Sequence, residues 1–206
     1  IFDMRDTGFS GTMASNHADN WPAGLRSFYM TSDPITGTIA DDFLINAPIG
    51  LQNFQINNTL VSGFMPTISH LAALTSYYVN STLLDIDTYP DPSGRSLLNH
   101  YRVHSNPVTN STGPYPLPNW NTLPALQSYY ASGVDFTGSS MGLSDLGTTN
   151  MNNFRVQSGN NINFTDINYP AAGTSNNLRY LFIENNNYVG GTGPNADPGV
   201  PTSTVF

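Results

Sequence analysis

The chain has no cysteine and no lysine, and of its 14 acidic residues only Glu184 is a glutamate. Without cysteine there can be no disulfide framework, no thiolate nucleophile and no Cys-ligated zinc or iron–sulfur site. All six cations are Arg and the formal net charge is −8. The chain therefore lacks the surplus of Lys and Arg with which nucleic-acid binders neutralise phosphate, and nucleic acid is not an expected partner. No apolar run approaches the roughly 18–20 residues of a membrane-spanning helix. A single Glu excludes a Glu–Glu glycosidase pair, and G-x-S-x-G, Walker and H-E-x-x-H motifs are missing. A Ser–His–Asp arrangement has no fixed spacing and stays open, but the overall reading is of a protein that is not an enzyme.

What is present is small and polar. Asn, Thr and Ser number 25, 21 and 20 among 206 residues, whereas charged residues make up 10% against a usual ~25%. Asn, Ser, Thr and Asp compete with the helix backbone for hydrogen bonds, and the good helix formers Glu and Lys are nearly gone. This composition predicts an all-β chain. Neither Asn-Gly nor Asp-Gly occurs, which suits a long-lived protein. The chain opens on Ile1 with no charged segment and apolar run of a leader. A removed export signal accounts for this, and so does a sequence that is one piece of a longer protein. Acidic, Cys-free and with few trypsin-like sites, the chain reads as extracellular or cell-surface.

Alternation of apolar and polar residues marks strands over 38–46, 51–56, 60–64, 77–87, 97–104, 151–157, 162–168 and 178–184. The turn Pro90-Asp91-Pro92-Ser93-Gly94 joins 77–87 to 97–104 as an expected hairpin. Five prolines between Asn106 and Pro124 mark a loop. Leu178–Ile183, apolar on both faces, is the expected central strand. Short strands with turns every 8–15 residues predict a two-sheet β-sandwich, jelly-roll-like. Its parts are an N-terminal arm (1–32), the sandwich (33–184) and a Gly/Pro-rich C-terminal tail (185–206).

Ile39-Ala40-Asp41-Asp42-Phe43, then Leu51, Phe54 and Ile56, then Leu84-Asp85-Ile86-Asp87 running into Pro92-Ser93-Gly94, resemble a β-sandwich module of exported bacterial proteins that carries an A-D-D-F strand. The resemblance covers about residues 35–100 and implies a non-catalytic surface or accessory domain.

Candidate site residues follow from residue chemistry. Asp85, Asp87 and Asp91, spaced at a strand end meeting a turn, are candidate calcium ligands, since Ca²⁺ takes six to eight oxygens; no other cofactor is expected. His100 and His104 share one strand face but lie roughly 13 Å apart, too far for one metal. The N-x-S/T sequons at Asn57, Asn80, Asn110 and Asn163 are glycosylation candidates, four being no more than composition produces. Trp120 and Tyr115, in the Pro-rich loop, are candidates for stacking on a glycan, with Trp120 expected to be exposed. In the pairs Tyr77-Tyr78 and Tyr129-Tyr130 one ring is expected in the core and one outside.

Two functions fit these features. In the first, the chain is a structural subunit of an extracellular filament, pilus-like fibre or sheath, joined non-covalently to copies of itself. The joint would be strand exchange of a terminal arm, the N-terminal one with Phe2, Met4 and Phe9 being the better donor and the C-terminal one with Val205 and Phe206 the second. The alternative is a carbohydrate-binding or adhesive module. A viral shell jelly roll belongs to the first class and is disfavoured by the missing basic arm.

Overall fold

The computed structural model describes residues 1–86, 89–107, 114–157, 162–166, 177–183 and 187–188. Sixteen short strands lie among them: β1 (Phe2–Asp3), β2 (Gly11–Thr12), β3 (Ser27–Tyr29), β4 (Ile35–Thr36), β5 (Thr38–Ile39), β6 (Asn53–Gln55), β7 (Ser62–Phe64) and β8 (Ser76–Tyr78). These are followed by β9 (Leu83–Asp85), β10 (His100–Arg102), β11 (Ser128–Tyr130), β12 (Ser140–Gly142), β13 (Asn153–Arg155), β14 (Asn163–Asp166), β15 (Tyr180–Phe182) and β16 (Asn187–Tyr188). Three short 3-10 helices complete the described elements.

All the strand pairings are parallel. The long sheet runs β1-β3-β6-β8-β10-β11-β13-β15, and the others run β2-β4, β5-β7-β9 and β12-β14-β16. The chain passes through the long sheet once every 23 to 28 residues, as the partners Phe2, Phe28, Phe54, Tyr77, Tyr101, Tyr129, Phe154 and Leu181 show. Between passes it turns through the smaller sheets. This is a β-solenoid, in which each coil packs on its neighbours and the core is continuous along the stack.

A repeated pattern accounts for the coil. Counting from the central ring of each pass, the position three earlier is Leu25, Leu51, Leu74, Leu98, Leu126, Met151 or Leu178, and the position two later is an aliphatic such as Met30, Ile56, Val79 or Val103; all of these are buried. Four residues past the ring the chain takes positive φ, at Asp6, Ser32, Asn58, Ser81, Ser105 and Gly133. Small polar residues and glycine carry that conformation at least cost. It turns the strand out of the sheet at the same place in each of these coils. The turns are tied together coil to coil: Ser32 N–H donates to the Asn57 carbonyl (3.2 Å), Asn58 to Asn80 (3.2 Å) and Ser81 to His104 (3.1 Å).

The inner rings form one stack. Centroids are 5.0 Å apart for Phe2–Phe28, 5.9 Å for Phe28–Phe54 and Phe54–Tyr77, and 5.6 Å for Tyr77–Tyr101. Tyr101–Tyr129 and Tyr129–Phe154 follow at 5.4 and 5.7 Å. Each ring pair contributes about 0.5–1.5 kcal/mol beyond its area burial. The buried phenols are satisfied: Tyr77 Oη donates to the Pro66 carbonyl (2.7 Å) and Tyr101 Oη to that of Pro90 (2.8 Å).

Several expectations are corrected. The fold is all-β, but it is a parallel solenoid and not a two-sheet, jelly-roll-like sandwich, so the sandwich implied by the A-D-D-F resemblance is not what the chain forms. The 77–87 run is two strands, β8 and β9, because Ser81 at φ +56° breaks it at a corner. Its expected hairpin partner pairs in parallel instead, His100 opposite Ser76. Of the 38–46 run only β5 is strand; Asp41 and Asp42 lie in the turns after it. β15 is the last strand of the long sheet, not a central one. Residues 1–32 supply β1, β2 and β3, and β1 pairs with β3 of the same chain.

Candidate functional site

Alternation places one side chain of each pass inside and its two neighbours outside. In-register parallel stacking then lines up the outward residues of successive coils, about 4.8 Å apart. The residue after the central inward side chain of each pass thereby forms a column on the outer face: the exposed Asp3, then Tyr29, Gln55, Tyr78, Arg102, Tyr130, Arg155 and Phe182, the last seven half-buried.

In its second half this column alternates cation and ring. The Arg102 guanidinium carbon lies 4.8 Å from the Tyr78 ring centroid and 4.7 Å from that of Tyr130. Arg155 lies 4.9 Å from Tyr130 and 4.2 Å from Phe182. Each contact is worth about 0.5–2 kcal/mol, depending on desolvation. The intervening rings also keep two like charges from stacking directly on each other. Nearer the first coil, Arg5 lies 4.4 Å over Tyr29 and forms an ion pair with Asp3 at 2.6 Å.

Two flanking columns complete the face. On one side stand Ser76, His100, Ser128, Asn153 and Tyr180, and on the other Asn80, His104, Ser132 and Gln157. His100 meets the Tyr78 ring edge-on at 6.1 Å and His104 meets Tyr130 at 5.4 Å. Burial, with the charges of Arg102 and Arg155 adding to it, pushes the His104 imidazole down to about 4. Burial and then Arg102 lower His100. Burial raises the Tyr78 phenol, against the opposing pull of Arg102. The charge of this face near neutral pH is therefore that of its two guanidiniums. No carboxylate stands among the described residues of these three columns from Ser76 onward, and the Nε atoms of Arg102 and Arg155 are buried with no hydrogen-bond partner.

The residues singled out from sequence are scattered over the solenoid. Asp85 ends β9 and is buried, Asp91 is exposed and accepts from Ser93 N–H (2.9 Å) and Oγ (2.7 Å), and Asp87 lies outside the described residues. Among the described residues no group of three His, Asp or Glu is placed to share a metal ion. Trp120 was expected to be exposed and is 5% exposed, edge-on to Tyr129 at 5.0 Å and to Phe154 at 5.7 Å. Its ring packs into the core and also borders the cleft described below, so it is not the exposed platform expected. Tyr115 is half-buried and donates its Oη to the Ile86 carbonyl (3.0 Å). Phe2 and Met4 are half-buried against the core, Phe9 is 55% exposed, and Val205 and Phe206 lie outside the described residues. Of the sequons, Asn57 and Asn80 are half-buried on the outer face of the long sheet, Asn163 begins β14, and Asn110 lies outside the described residues.

Among the recesses beside the stack, two touch residues singled out from the sequence. A cleft of about 430 Å³ beside Trp120 is lined by Pro118, Asn119, Ser139, Met141 and Asp145; its carboxylate is engaged by Gly142 N–H at 2.9 Å. An apolar recess of about 260 Å³ at the β1 end is lined by Phe2, Met4, Phe9, Met13, Met30 and Ile35.

Each Tyr pair has one ring inside and one outside, as expected, and the structure assigns Tyr77 and Tyr129 to the inside and Tyr78 and Tyr130 to the outside. What the sequence reading missed is Arg102 between Tyr78 and Tyr130 and Arg155 between Tyr130 and Phe182. The signal was available as an internal repeat of 23–28 residues, Leu-x-x-ring-x-aliphatic, visible in LRSFYM, LQNFQI, LTSYYV, LNHYRV and MNNFRV. No protein-family model, no curated protein and no solved structure matches the chain.

Proposed function

We propose that this β-solenoid is a non-catalytic module of an extracellular or cell-surface protein, and that it binds a linear glycan along the outer face of its long sheet. The observation that carries this reading is the column from Tyr78 to Phe182, one side chain per coil at nearly constant spacing. A row of repeated groups is matched by a ligand that itself repeats, and a rigid row loses little entropy on binding. The ring faces between Tyr78 and Phe182 are covered by the guanidiniums. Contact is then made by ring edges, phenol hydroxyls and guanidinium N–H groups, which hydrogen-bond sugar oxygens. Affinity electrophoresis through gels containing individual polysaccharides tests the reading. Retardation in at least one gel is expected, and it should weaken in Tyr78→Ala/Tyr130→Ala. Unretarded migration across a broad panel overturns it.

A second reading, association with copies of itself, is favoured by the β1 end. Phe2 stacks on Phe28, Phe9 is 55% exposed, and the apolar recess lies open beside it. A second copy laid on β1 would extend the sheet by the pairing already used inside the chain. Sedimentation velocity at rising concentration should show species larger than 22 kDa, reduced by Phe9→Ser. A monomer at every concentration removes this reading.

A further inference from the structure

We infer that the ligand of the outer face is an acidic polysaccharide, one whose repeating sugars carry carboxylate or sulfate groups, and that Arg102 and Arg155 select it. This rests on the glycan-binding reading above and specifies its substrate class.

The two guanidiniums are two coils apart, separated by the single ring of Tyr130. Sandwiching occupies the faces of each guanidinium, and with Nε buried the Nη N–H groups are the donors left for hydrogen bonding to a ligand. Those donors match the planar, bidentate geometry of a carboxylate or the oxygens of a sulfate. Within the described residues the face supplies no acid to meet them: the three columns from Ser76 to Phe182 hold Ser, Asn, Gln, His, Tyr and Phe beside the two Arg. The contrast with the first coil is direct: there the central column carries Asp3, which pairs with Arg5 over the Tyr29 ring, whereas no acid is paired with Arg102 or Arg155 among the described residues. On a chain of net charge −8 with six cations, placing two Arg without a described acid partner on one face focuses positive potential there. His100 and His104 add no charge near neutral pH, so the anion-binding potential rests on the Arg pair. The spacing is also suited to a polymer. Two guanidiniums roughly 10 Å apart, twice the strand separation, engage charges on separate sugars of one strand, and the second contact gains from the effective concentration set by the first.

The test uses the whole chain and four probes, polygalacturonate, dextran sulfate, neutral dextran and the oligonucleotide poly(dT), with dissociation constants measured by biolayer interferometry. The expected result is binding to polygalacturonate, dextran sulfate or both, weakened at least tenfold in Arg102→Gln/Arg155→Gln and unchanged in Arg95→Gln, which removes the same charge away from this face. The two acidic probes separate carboxylate from sulfate as the preferred group. Neutral dextran bound as tightly as the acidic probes overturns the inference and leaves the glycan-binding reading standing. Poly(dT) bound as tightly as either acidic glycan overturns it in favour of a general polyanion surface. No binding of any probe, together with an empty wider panel, overturns both. Because the double variant removes packing as well as charge, the wild-type chain is also labelled with ¹⁵N-arginine. Titration with the bound acidic probe should move two of the six Nε–H resonances, those of Arg102 and Arg155. Shifts confined to the other four overturn the assignment.

Discussion

The α-carbon of Gly63 stands so close to the main chain of Ile39, one coil back, that a methyl group built on it would fall 2.0 Å from the Ile39 carbonyl oxygen. Gly37 has the same relationship to Met13, at 2.3 Å. Both have positive φ, +100° and +129°, and both lie nine residues past an inner ring, Phe54 and Phe28. Here adjacent coils are in backbone contact, and only glycine fits. Gly63→Ala and Gly37→Ala are each expected to destabilise the fold by about 1–3 kcal/mol through overpacking, with positive-φ strain in addition. Urea denaturation reads this out. A loss below a few tenths of a kcal/mol would show that the coils are not packed this closely.

The stacked inner rings join one coil to the next along the long sheet. Phe54 is fully buried between Phe28 and Tyr77, and Phe54→Ala should cost about 3–5 kcal/mol. Tyr77→Phe keeps the ring and strands the buried Pro66 carbonyl, for a smaller cost of about 1–3 kcal/mol. Unfolding midpoints for the two variants should fall in that order.

Trp120 is a core residue in this structure. Trp120→Ala should therefore lower stability by about 3–5 kcal/mol, visible as a lower thermal midpoint. Under the reading given above, a Trp120 variant that still folds keeps its glycan affinity. A Trp120→Ala protein of unchanged stability that no longer binds glycan would return the ring to the role first expected of it.

Acid should weaken the fold through histidine. His104 is held at about 4 when folded and returns to about 6.5 when unfolded. Above both values it is neutral in both states and has no effect. Between them the unfolded chain takes up a proton that the folded chain does not, so stability falls as pH drops from about 6.5 toward 4. His100 and His70, lowered chiefly by burial, act in the same direction. Thermal midpoints measured across this window should decline for the wild type and decline less for His104→Gln. Parallel slopes for the two proteins would remove His104 as a contributor.

Much of this was legible in the sequence, and the limit has a physical cause. Alternation put one ring inside and one outside in each of the pairs Tyr77-Tyr78 and Tyr129-Tyr130, without saying which, because a strand's period of two is a local property. Alternation also made 77–87 look like one long strand, since it is blind to the backbone: Ser81 fits the pattern while turning the chain a corner. The expected hairpin between 77–87 and 97–104 came from the Pro90–Gly94 turn chemistry. The turn exists, but it serves a coil that returns to the sheet in the same direction. Trp120 was placed outside because prolines surround it, yet proline settles only that a segment cannot pair in a ladder, not whether it lies over the core.

From the sequence alone, the near-absence of Glu and Lys and the excess of Asn, Ser and Thr decided that this chain is β and turn-rich, because those side chains compete for helical hydrogen bonds wherever they stand. The Leu-x-x-ring-x-aliphatic repeat also lay there to be read. Tertiary structure alone decided that Tyr78, Arg102, Tyr130 and Arg155, 24 to 28 residues apart in sequence, become neighbours on one face. Which residues stack depends on the register between coils. That register is set by the length of each circuit and by the glycine contacts that let the circuits close on one another, neither of which any single strand contains.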